Sequence, residues 1–455
     1  MRIHRCLAVR IRMGLQIGIV ALACGPASSS PRVYPTGVTI YDPSRTYNSF
    51  VSFSSMDGNT HLIDMDGNEV HRWSHVGIPG EVIDPRLVQG ERGHVLVQLE
   101  DGDDPRGGIF SNGTVGELDW SGKILWQWGK QAPGGAARQN HDWTRLPNGN
   151  TLLLVAMPRT VKGLGPKVIG DQGIYEVNPG GEIVWQWIAG DHLAEFGISV
   201  AGRRYLRERI ARTAVDIWGY LEINDMQVLG PNRWYDAGDG RFAPENIMMD
   251  ARKGNFVFII SKATGKVVWR LGPGFSGDDY FADGRIQRRD IPRPVDQISG
   301  QHDAHLIPQG LPGAGNLLLF DNQGGAGFPP VALGVYAGSR VLEIDPVKKE
   351  IVWQYTGESS GRPPWSFFSS FISSVRRLPN GNTLIDEGMN GRLFQVTKDG
   401  EIVWEYVNRY PGLVTRGSKH IVNSSIFRAQ PVPYDWVPDG TPHAEIEVKE
   451  TVSFQ

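Results

Sequence analysis

One phrase occurs six times along the chain and restricts the possible folds more than any other feature. Each copy has an apolar stretch that ends in a polar residue, a turn that contains Gly in all but one copy, and a second short stretch that carries Trp. Self-similarity of this kind is typical of an array of equivalent supersecondary units. We interpret the repeated tryptophans as structural, each burying its ring between neighbouring units. They are Trp73, Trp126, Trp185, Trp269, Trp353 and Trp404.

A second phrase lies between the copies and predicts four strands per unit. It reads RLPNGNTLLL at 145–154, LIPQGLPGAGNLLLF at 306–320 and RLPNGNTLI at 377–385. Pro, Asn and Gly favour a turn, which here joins two strands. Two hairpins per unit make a four-stranded antiparallel sheet, which is the blade of a β-propeller. We therefore predict an all-β fold, a six-bladed β-propeller over residues 46–438.

Strands from both ends of the chain are expected to close this ring. The stretch from Tyr47 to Trp73 supplies three strands at most. We predict that the inner strand of this first blade is His420–Ala429, because closure removes the free sheet edges that promote aggregation. Residues 25–45 are then a lead-in, and residues 439–455 are a C-terminal tail.

Two insertions interrupt the repeat. Residues 191–220 contain no Pro and have apolar residues near helical spacing, which predicts a short amphipathic helix over one face of the propeller. Residues 274–300 are rich in Asp, Gly and Arg and are predicted to form a long loop. Long loops in compact domains usually serve a function.

The amino-terminal segment and the charge balance indicate the compartment and exclude some partners. Residues 1–24 have a basic start, a short apolar run and Ala-Leu-Ala before Cys24, which predicts a signal peptide and makes Cys24 a candidate for lipid attachment. We therefore expect a periplasmic or extracellular protein. The run is too short for a membrane-spanning helix, so no span is expected in the mature chain. The net charge of −3 argues against a nucleic-acid partner.

The cysteine count limits the chemistry of the folded body. The chain has two cysteines, Cys6 and Cys24, and both lie in the predicted signal segment. The propeller is therefore expected to contain no disulfide, no zinc–thiolate site and no cysteine nucleophile.

Polar residues at the starts of the inner strands predict a site in the central channel. Counting back six residues from the turn proline of the second phrase gives His141, His302 and Ser373 in three blades. The stretch EINDMQVLGP places Glu222 and Asn224 in the same region of a fourth blade. Polar groups at these positions are typical of a channel site. Imidazole suits a nucleophile or a general acid or base near neutral pH, so His302 and His141 are the first candidates.

The next histidine along the same strand is expected to differ in role. His305 lies three residues after His302, so strand alternation turns it to the opposite side, and we interpret it as structural.

Several longer stretches resemble a known family, the bacterial PAPS-independent aryl sulfotransferases, also called arylsulfate sulfotransferases. They include LGPNRWYDAGDGRFAPENIMMDAR at 229–252, GQHDAHLIPQGLPGAGNLLLFDN at 300–322, FISSVRRLPNGNTLI at 371–385 and IFRAQPVPYDWVP at 426–438. The resemblance covers about residues 45–438. It implies a periplasmic six-bladed propeller that moves a sulfuryl group from an aryl sulfate ester to a phenol through a transiently sulfated histidine.

The family pattern is carried over in part. Gln301 and His302 match it, whereas Glu222 stands where relatives commonly have His, and Ser373 stands where the sulfated histidine is expected. Phe-Asp-Asn at 320–322 is followed by Gln-Gly-Gly without the expected arginine. Lys419 and His420 stand near a lysine–threonine pair of described members.

The resemblance assigns roles to these residues. His302 is implied as nucleophile or general acid, with His141, Glu222, Asn224 and Asn322 as the other members of the catalytic group. The residues implied in substrate binding are Lys419, His420, Ser373, Trp143 and Trp365. Small aryl sulfates and phenols are the expected partners, and no cofactor is expected.

Two further interpretations stay open at this point. A propeller that has lost turnover would serve as an exported ligand- or protein-binding module, and Ser373 in place of a histidine favours that interpretation. A metal ion held by Glu222, His141 and His302 is a third hypothesis, because carboxylate and imidazole are common metal ligands.

Overall fold

A computed structural model describes residues 35–101, 112–212, 219–272, 298–328, 337–416 and 419–449, and it contains six antiparallel sheets of four or five strands. One edge strand of each sheet contacts the corresponding strands of the two neighbouring sheets, so the sheets stand as blades around an axis. The chain is a six-bladed β-propeller, as the repeat predicts. The predicted signal segment at 1–24 lies outside the described residues.

Blades 1–3 each have four strands, in the following order from the inner to the outer edge. Blade 1 contains Ile426–Val432, Phe50–Ser55, Thr60–Ile63 and Glu69–Trp73. Blade 2 contains Glu81–Val82, Val95–Asp101, Asn112–Leu118 and Ile124–Trp128. Blade 3 contains Gln139–Arg145, Thr151–Arg159, Ile169–Val177 and Ile183–Ile188.

Blades 4–6 follow the same order. Blade 4 contains Ile223–Val228, Ile247–Ala251, Phe256–Ile260 and Val267–Leu271. Blade 5 contains His302–Leu306, Leu317–Asp321, Arg340–Asp345 and Glu350–Tyr355. Blade 6 contains Ser374–Arg377, Thr383–Glu387, Arg392–Val396, Ile402–Val407 and a fifth strand, Gly37–Tyr41.

The C-terminal strand closes the ring, but it begins later than the sequence predicts. Ile426–Val432 pairs with Phe50–Ser55 as the inner strand of blade 1. The preceding Lys419–Asn423 pairs with Gly412–Arg416 in a separate two-stranded hairpin. The break has a local cause, because the side chain of Asn423 accepts a hydrogen bond of 2.9 Å from the backbone N–H of Ser425 and forms a turn. The prediction that His420–Ala429 is one continuous inner strand is therefore wrong at its start.

The lead-in and the tail both pack onto the ring. Gly37–Tyr41 adds a strand to the outer edge of blade 6, which the sequence analysis did not predict. The backbone N–H of Tyr41 donates to the carbonyl of Val448 at 2.7 Å, so the tail covers this added strand. The outer edge of blade 6 is thus paired instead of open.

The insertion at 191–220 contains the predicted helix. Helix α1 spans Val200–Arg212 and buries Gly202 and Leu206 against a core cluster that includes Phe196 and Phe328. A second helix, α2, is a single turn at Arg233–Asp236 whose first N–H groups are capped by the Asn232 side chain. Most of the predicted loop at 274–300 lies outside the described residues.

Short 3₁₀ turns connect many of the strands. They lie at Pro85–Leu87, Pro133–Gly135, Ala189–His192, Gly240–Phe242, Arg252–Gly254, Gly357–Ser360, Pro364–Ser366, Gly388–Asn390 and Tyr434–Trp436. In the part of the chain that the structure describes, no helix has the length and apolar character needed to cross a membrane.

One Trp from each blade links that blade to the next. Its indole N–H donates to a backbone carbonyl in the outer turn of the following blade, at 2.7–3.1 Å. The donors are Trp73, Trp128, Trp187, Trp269, Trp353 and Trp404. Trp126 and Trp185 were the tryptophans predicted to link blades 2 and 3. The motif in both blades is Trp-Gln-Trp, and the linking residue is the second Trp. The structural interpretation of the repeat holds, with these two assignments corrected.

Candidate active site

Irregular backbone at the starts of the inner strands places the polar residues of the channel. His141, Glu222 and Asp303 have φ angles of 69°, 48° and 59°, in the left-handed region. The strand pairing shifts register at the same places in blades 3, 4 and 5. A bulge of this kind bends the strand and re-aims a side chain. The three blades therefore present consecutive polar residues at the axis in place of a regular in–out alternation.

Three aspartates and one arginine form a hub across the channel, which we call the Arg428 hub. The Arg428 guanidinium lies 2.9 Å from Asp142 Oδ1, 2.8 Å from Asp225 Oδ1 and 3.4 Å from Asp303 Oδ1. These acids come from blades 3, 4 and 5, whereas Arg428 lies on the closing strand of blade 1. Asp303 also pairs with Arg376 of blade 6. The hub thus joins five of the six blades.

Two of these aspartates, Asp142 and Asp303, also accept hydrogen bonds from the backbone of the next blade. Asp142 Oδ2 accepts a hydrogen bond of 2.8 Å from the N–H of Met226, and Asp303 Oδ2 accepts one of 2.8 Å from the N–H of Val375. Hydrogen bonds to a charged acceptor are stronger than those between neutral groups. The acids therefore fix the relative positions of the inner strands on which the histidines lie.

His302 is held by hydrogen bonds at both ring nitrogens. Its Nδ1 lies 2.7 Å from Asn322 Oδ1, and its Nε2 accepts a hydrogen bond of 3.1 Å from the N–H of Ile372. The Asn322 amide donates to the carbonyls of Ser369 and Ile372, so its oxygen faces the ring. Nδ1 therefore carries the proton, and the Nε2 lone pair points toward blade 6.

Burial keeps both channel histidines uncharged. His302 is 4% exposed, and burial together with the nearby Arg252 lowers its pKa to about 3. His141 is 5% exposed, its ring centroid lies 5.7 Å from that of Phe427, and burial lowers its pKa to about 4. Both imidazoles are neutral at physiological pH.

Glu222 is paired with two cations beside these histidines. Arg252 Nη1 lies 3.3 Å from both carboxylate oxygens, and Lys253 Nζ lies 3.0 Å from Oε2. Burial alone would raise the pKa of Glu222, but Lys253 and Arg252 lower it to about 2. One carboxylate against two cations leaves one positive charge near His302 and His141. No role was predicted for Arg252 and Lys253, although Arg252 ends one of the stretches that resemble the family.

The other candidate residues lie at varying distance from this group. Asn224 is buried, and its amide donates to the carbonyl of Gln301 at 3.4 Å. Ser373 is buried with φ 97°, and its hydroxyl accepts a hydrogen bond of 3.0 Å from the N–H of Gly388. Both belong to the same mouth of the channel as His302.

The other residues implied in substrate binding, two tryptophans and a basic pair, are not part of the group around His302. Trp143 is buried in the core between blades 2 and 3 and donates to the carbonyl of Pro79 at 2.8 Å. Trp365 is 57% exposed in the turn Pro364–Ser366. Lys419 and His420 lie in the separate hairpin and not on an inner strand, and the His420 side chain is exposed. Their contact with substrate stays a prediction.

The structure gives no support to the metal hypothesis. Among the described residues, no three His, Cys, Asp or Glu side chains are arranged to hold a metal ion. The oxygens of Glu222, one of the three suggested ligands, already contact Arg252 and Lys253. Cation pairing of the carboxylate is incompatible with its use as a free ligand.

Sequence reasoning missed the Arg428 hub, although a signal was present. Asp142, Asp225 and Asp303 each follow directly after a selected His or Asn, as His-Asp, Asn-Asp and His-Asp. Three acids at equivalent blade positions predict a shared cation, because like charges at one axis repel each other. The cation itself, Arg428, lies on the closing strand, where the sequence alone gives it no partner.

Comparison with known proteins finds a family but no close relative. The family model described as Arylsulfotransferase (ASST) matches residues 41–410. Comparison with the sequences of curated proteins finds no match.

Three solved structures show distant likenesses to this chain. One is a protein of unknown function from Bacteroides caccae, at 13% identity and a TM-score of 0.43, covering 85% of this chain and 99% of that one. Another is a catalytically inactive virginiamycin B lyase from Staphylococcus aureus with quinupristin, at 11% identity and a TM-score of 0.37, covering 86% and 98%. A third is a quinohemoprotein alcohol dehydrogenase from Comamonas testosteroni, at 14% identity and a TM-score of 0.37, covering 88% and 71%. Likenesses at this level carry no information about the activity of this chain.

The family match extends over most of the propeller and includes His302, Asn322, Glu222 and Arg252. It agrees with the resemblance noted in the sequence and supports an aryl sulfotransferase-like function. The chain belongs to the arylsulfotransferase (ASST) family.

Proposed function

We propose that this protein is an exported enzyme that transfers a sulfuryl group from an aryl sulfate ester to a phenol, with His302 as the group that is transiently sulfated. The observation that carries the proposal is the state of the His302 ring. It is neutral, its proton is fixed on Nδ1 by Asn322, and its lone pair is on Nε2. A neutral imidazole with a defined tautomer is the form that acts as a nucleophile.

The two chemical steps balance without a cofactor. In the first, the Nε2 lone pair forms a bond to sulfur while the S–O bond to the aryl group breaks, and the phenolate leaves with that electron pair. The ring then carries a positive charge, which the hydrogen bond from Nδ1 to Asn322 stabilises. In the second, the acceptor phenol attacks sulfur, the N–S bond breaks, and the phenol proton passes to the released phenolate.

Arg252 and Lys253 supply the positive charge that a sulfuryl group requires. They lie beside Glu222, and after pairing they leave one net positive charge near His302. Fixed cations stabilise the equatorial oxygens of a group in transfer. In this proposal Arg252 replaces the arginine that the family pattern places after Asn322, and Glu222 orients both cations.

The N–H of Ile372 donates a hydrogen bond to the Nε2 lone pair of His302, which is the proposed nucleophile. This N–H therefore has to move away from Nε2 when substrate binds. Ile372 and Ser373 have φ angles of 54° and 97°, which are unfavourable for residues other than glycine and especially for a β-branched one. Backbone strain of this kind costs about 1–3 kcal/mol and is concentrated at ligand sites. We propose that aryl sulfate displaces this N–H from Nε2, after which the N–H donates to a sulfuryl oxygen.

The alternative is an exported binding module without turnover, and two observations favour it. Ser373 stands where the sulfated histidine is expected, and both ring nitrogens of His302 are hydrogen-bonded. In that case the same cationic mouth would hold an aryl sulfate but would not cleave it.

Nitrophenolate release from 4-nitrophenyl sulfate in the presence of phenol separates the two functions. We expect release by the wild type, loss of at least a hundredfold in His302→Ala, and little change in His94→Gln, a histidine hydrogen-bonded to Glu117 in blade 2. Mass spectrometry of the protein quenched during turnover should show one added SO₃ group on a peptide that contains His302. Equal release by His302→Ala would refute the assignment of the nucleophile. No release, together with thermal stabilisation by the ester, would establish the binding module.

A further inference from the structure

A cavity lies on the far side of the Arg428 hub from His302. It has a volume of about 720 Å³ and is lined by residues at the hub and by those that follow it along the inner strands. Neither His302 nor His141 is among its lining residues. We call it the exit cavity, and the proposed sulfuryl transfer makes no use of it. Its volume is in the range of sites that hold small organic molecules.

The walls of the exit cavity are apolar and aromatic. They include Trp143, Leu146, Met226, Leu311 and Trp436. Side chains of this kind give a ligand most of its buried contact area. The Arg428 hub forms a polar floor at the inner end, and a few further polar side chains, among them Gln227 and Gln430, also line the cavity. A ligand that fits must therefore have an apolar body and one polar end.

The ionisable groups of the floor include more carboxyl groups than cations. Two arginines that line the cavity, Arg145 and Arg377, are paired with Glu117 and Glu343, which do not line it. At the rim, Asp84 and Arg86 pair with each other.

Apart from these paired groups, two guanidinium groups and four carboxyl groups line the cavity. The guanidinium groups are those of Arg376 and Arg428, and the carboxyl groups are those of Glu81, Asp142, Asp225 and Asp303. The floor is therefore short of two positive charges when every carboxyl group is ionised.

Glu81 is the carboxyl group best placed to receive a cation. Its Oε1 accepts a hydrogen bond of 3.1 Å from the hydroxyl of Thr144, and no ion pair to it occurs among the described residues. Its side chain is partly accessible, and the surface it exposes lines the cavity. Burial, with Asp142 next in effect, raises the pKa of Glu81 to about 8, as expected for a carboxyl group that lacks a counter-ion.

The hydrogen bonds of the floor also require a donor. Arg428 directs its Nη groups at Asp142 and Asp225, and Arg376 donates to Asp303 and to a backbone carbonyl. By contrast, Asp225 Oδ2 and His305 Nε2 accept no hydrogen bond, although these residues are 3% and 6% exposed. His305 Nδ1 lies 2.8 Å from the carbonyl of Asp303 and donates to it, so Nε2 is an acceptor. Buried acceptors without a donor are rare in native proteins.

We propose that the exit cavity binds an organic cation, a primary amine with an aromatic or aliphatic body, whose ammonium group contacts Glu81 and the floor. Three donors on one charged nitrogen match the excess of acceptors, and the charge matches the excess of carboxyl groups. The aromatic wall adds a favourable contact for the body of the ligand. This site is independent of the proposed sulfuryl transfer at His302.

Calorimetric titration of the full chain with 2-phenylethylamine tests the proposal. The matched probes are 2-phenylethanol, which has a similar shape without the charge, and 3-phenylpropionate, which carries the opposite charge. We expect the amine to bind at least tenfold more tightly than the alcohol and the acid to show no binding. This comparison uses the wild type alone and does not depend on any variant folding.

Variants locate the site. Glu81→Gln keeps the size of the side chain and should weaken binding of the amine at least tenfold, whereas Asp84→Asn, at the rim, should leave it unchanged. Thermal unfolding of each variant confirms folding, and nitrophenolate release should be unaffected by Glu81→Gln. Equal affinities for amine and alcohol, no binding of the amine, or unchanged binding by Glu81→Gln would each overturn the proposal, whatever the outcome at His302.

Discussion

Replacing Arg428 by Met tests whether the Arg428 hub holds the propeller together. Methionine has a comparable length and no charge, so the substitution removes the cation and leaves Asp142, Asp225 and Asp303 facing one another. Removing one partner of a buried ion pair typically costs about 3–5 kcal/mol, because the other charge stays buried without compensation.

We expect Arg428→Met to lower the free energy of unfolding by about 3–5 kcal/mol at pH 7.5, and not by this amount for each of the three aspartates. Three acids lose a partner, but a buried carboxylate without a cation takes up a proton instead of remaining charged. Burial already raises the pKa of Asp225 even with Arg428 present. The carboxyl groups left in the variant should therefore titrate above the value of about 3.9 that they have in the unfolded chain.

The pH dependence of this loss has a defined sign. An acid with a raised pKa in the folded state stabilises that state below its unfolded pKa, and this stabilisation is lost as the pH rises. The difference in the free energy of unfolding between the wild type and Arg428→Met should therefore become smaller as the pH falls from 7.5 to 5.5. The decrease should be up to about 1.4 kcal/mol per pH unit for each carboxyl group that takes up a proton.

Denaturant unfolding at several pH values measures the effect, with the slope of the transition compared between proteins. Arg428→Met/Asp225→Asn removes one of the three acids and should be more stable than Arg428→Met alone. With the single variant Asp225→Asn, the cycle gives a coupling energy between the two positions. Arg86→Met, whose side chain is largely exposed, should change stability by less than about 0.5 kcal/mol. A loss below about 1 kcal/mol in Arg428→Met, or a difference independent of pH, would refute the role given to the hub.

Three further predictions concern the site and the ring. Because the pKa values of His302 and His141 are lowered to about 3 and about 4, kcat/KM for 4-nitrophenyl sulfate should be flat between pH 5 and 8 with respect to these groups, and an acid limb near pH 6.5 would contradict this. Arg252→Met should raise KM for the ester about tenfold, equivalent to about 1.4 kcal/mol of binding, and an unchanged KM at both low and high salt would exclude Arg252 from the site. Trp404→Phe should lower the free energy of unfolding by about 1–2 kcal/mol through its lost hydrogen bond to blade 1, whereas Trp365→Phe, at an exposed position, should have no measurable effect.

The number of blades was predictable because the repeated hairpin is a local pattern. Its turn residues and its Trp recur whatever surrounds them, so six copies are visible in the sequence. Which tryptophan of Trp-Gln-Trp links the blades could not be predicted from the local sequence, because it depends on which ring reaches the next blade. Trp128 makes that contact and Trp126 does not, although both lie on the same strand.

The candidate site was predictable where it follows strand register and not where it depends on bulges. His302 begins the inner strand of blade 5, and Asn322 directly follows the strand that pairs with it, so their contact follows from counting residues. Glu222 meets Arg252 because a left-handed residue turns the start of its strand, and nothing in the residue types indicates that bend. Arg428 is brought to the axis only when the ring closes, so its partners become known only from the fold.

The six indole–carbonyl contacts run head to tail around the ring and return to their starting point, since Trp404 of blade 6 donates to the carbonyl of Met65 in blade 1. Each blade is therefore both donor and acceptor, and none is a terminal unit of the kind that caps a linear repeat. The backbone contact between Tyr41 and Val448 also brings the two ends of the described chain together. A circular permutant that joins these ends with a short linker and opens at an exposed loop such as 238–240 keeps every one of these contacts, so the order of the blades in the gene is independent of the ring they form.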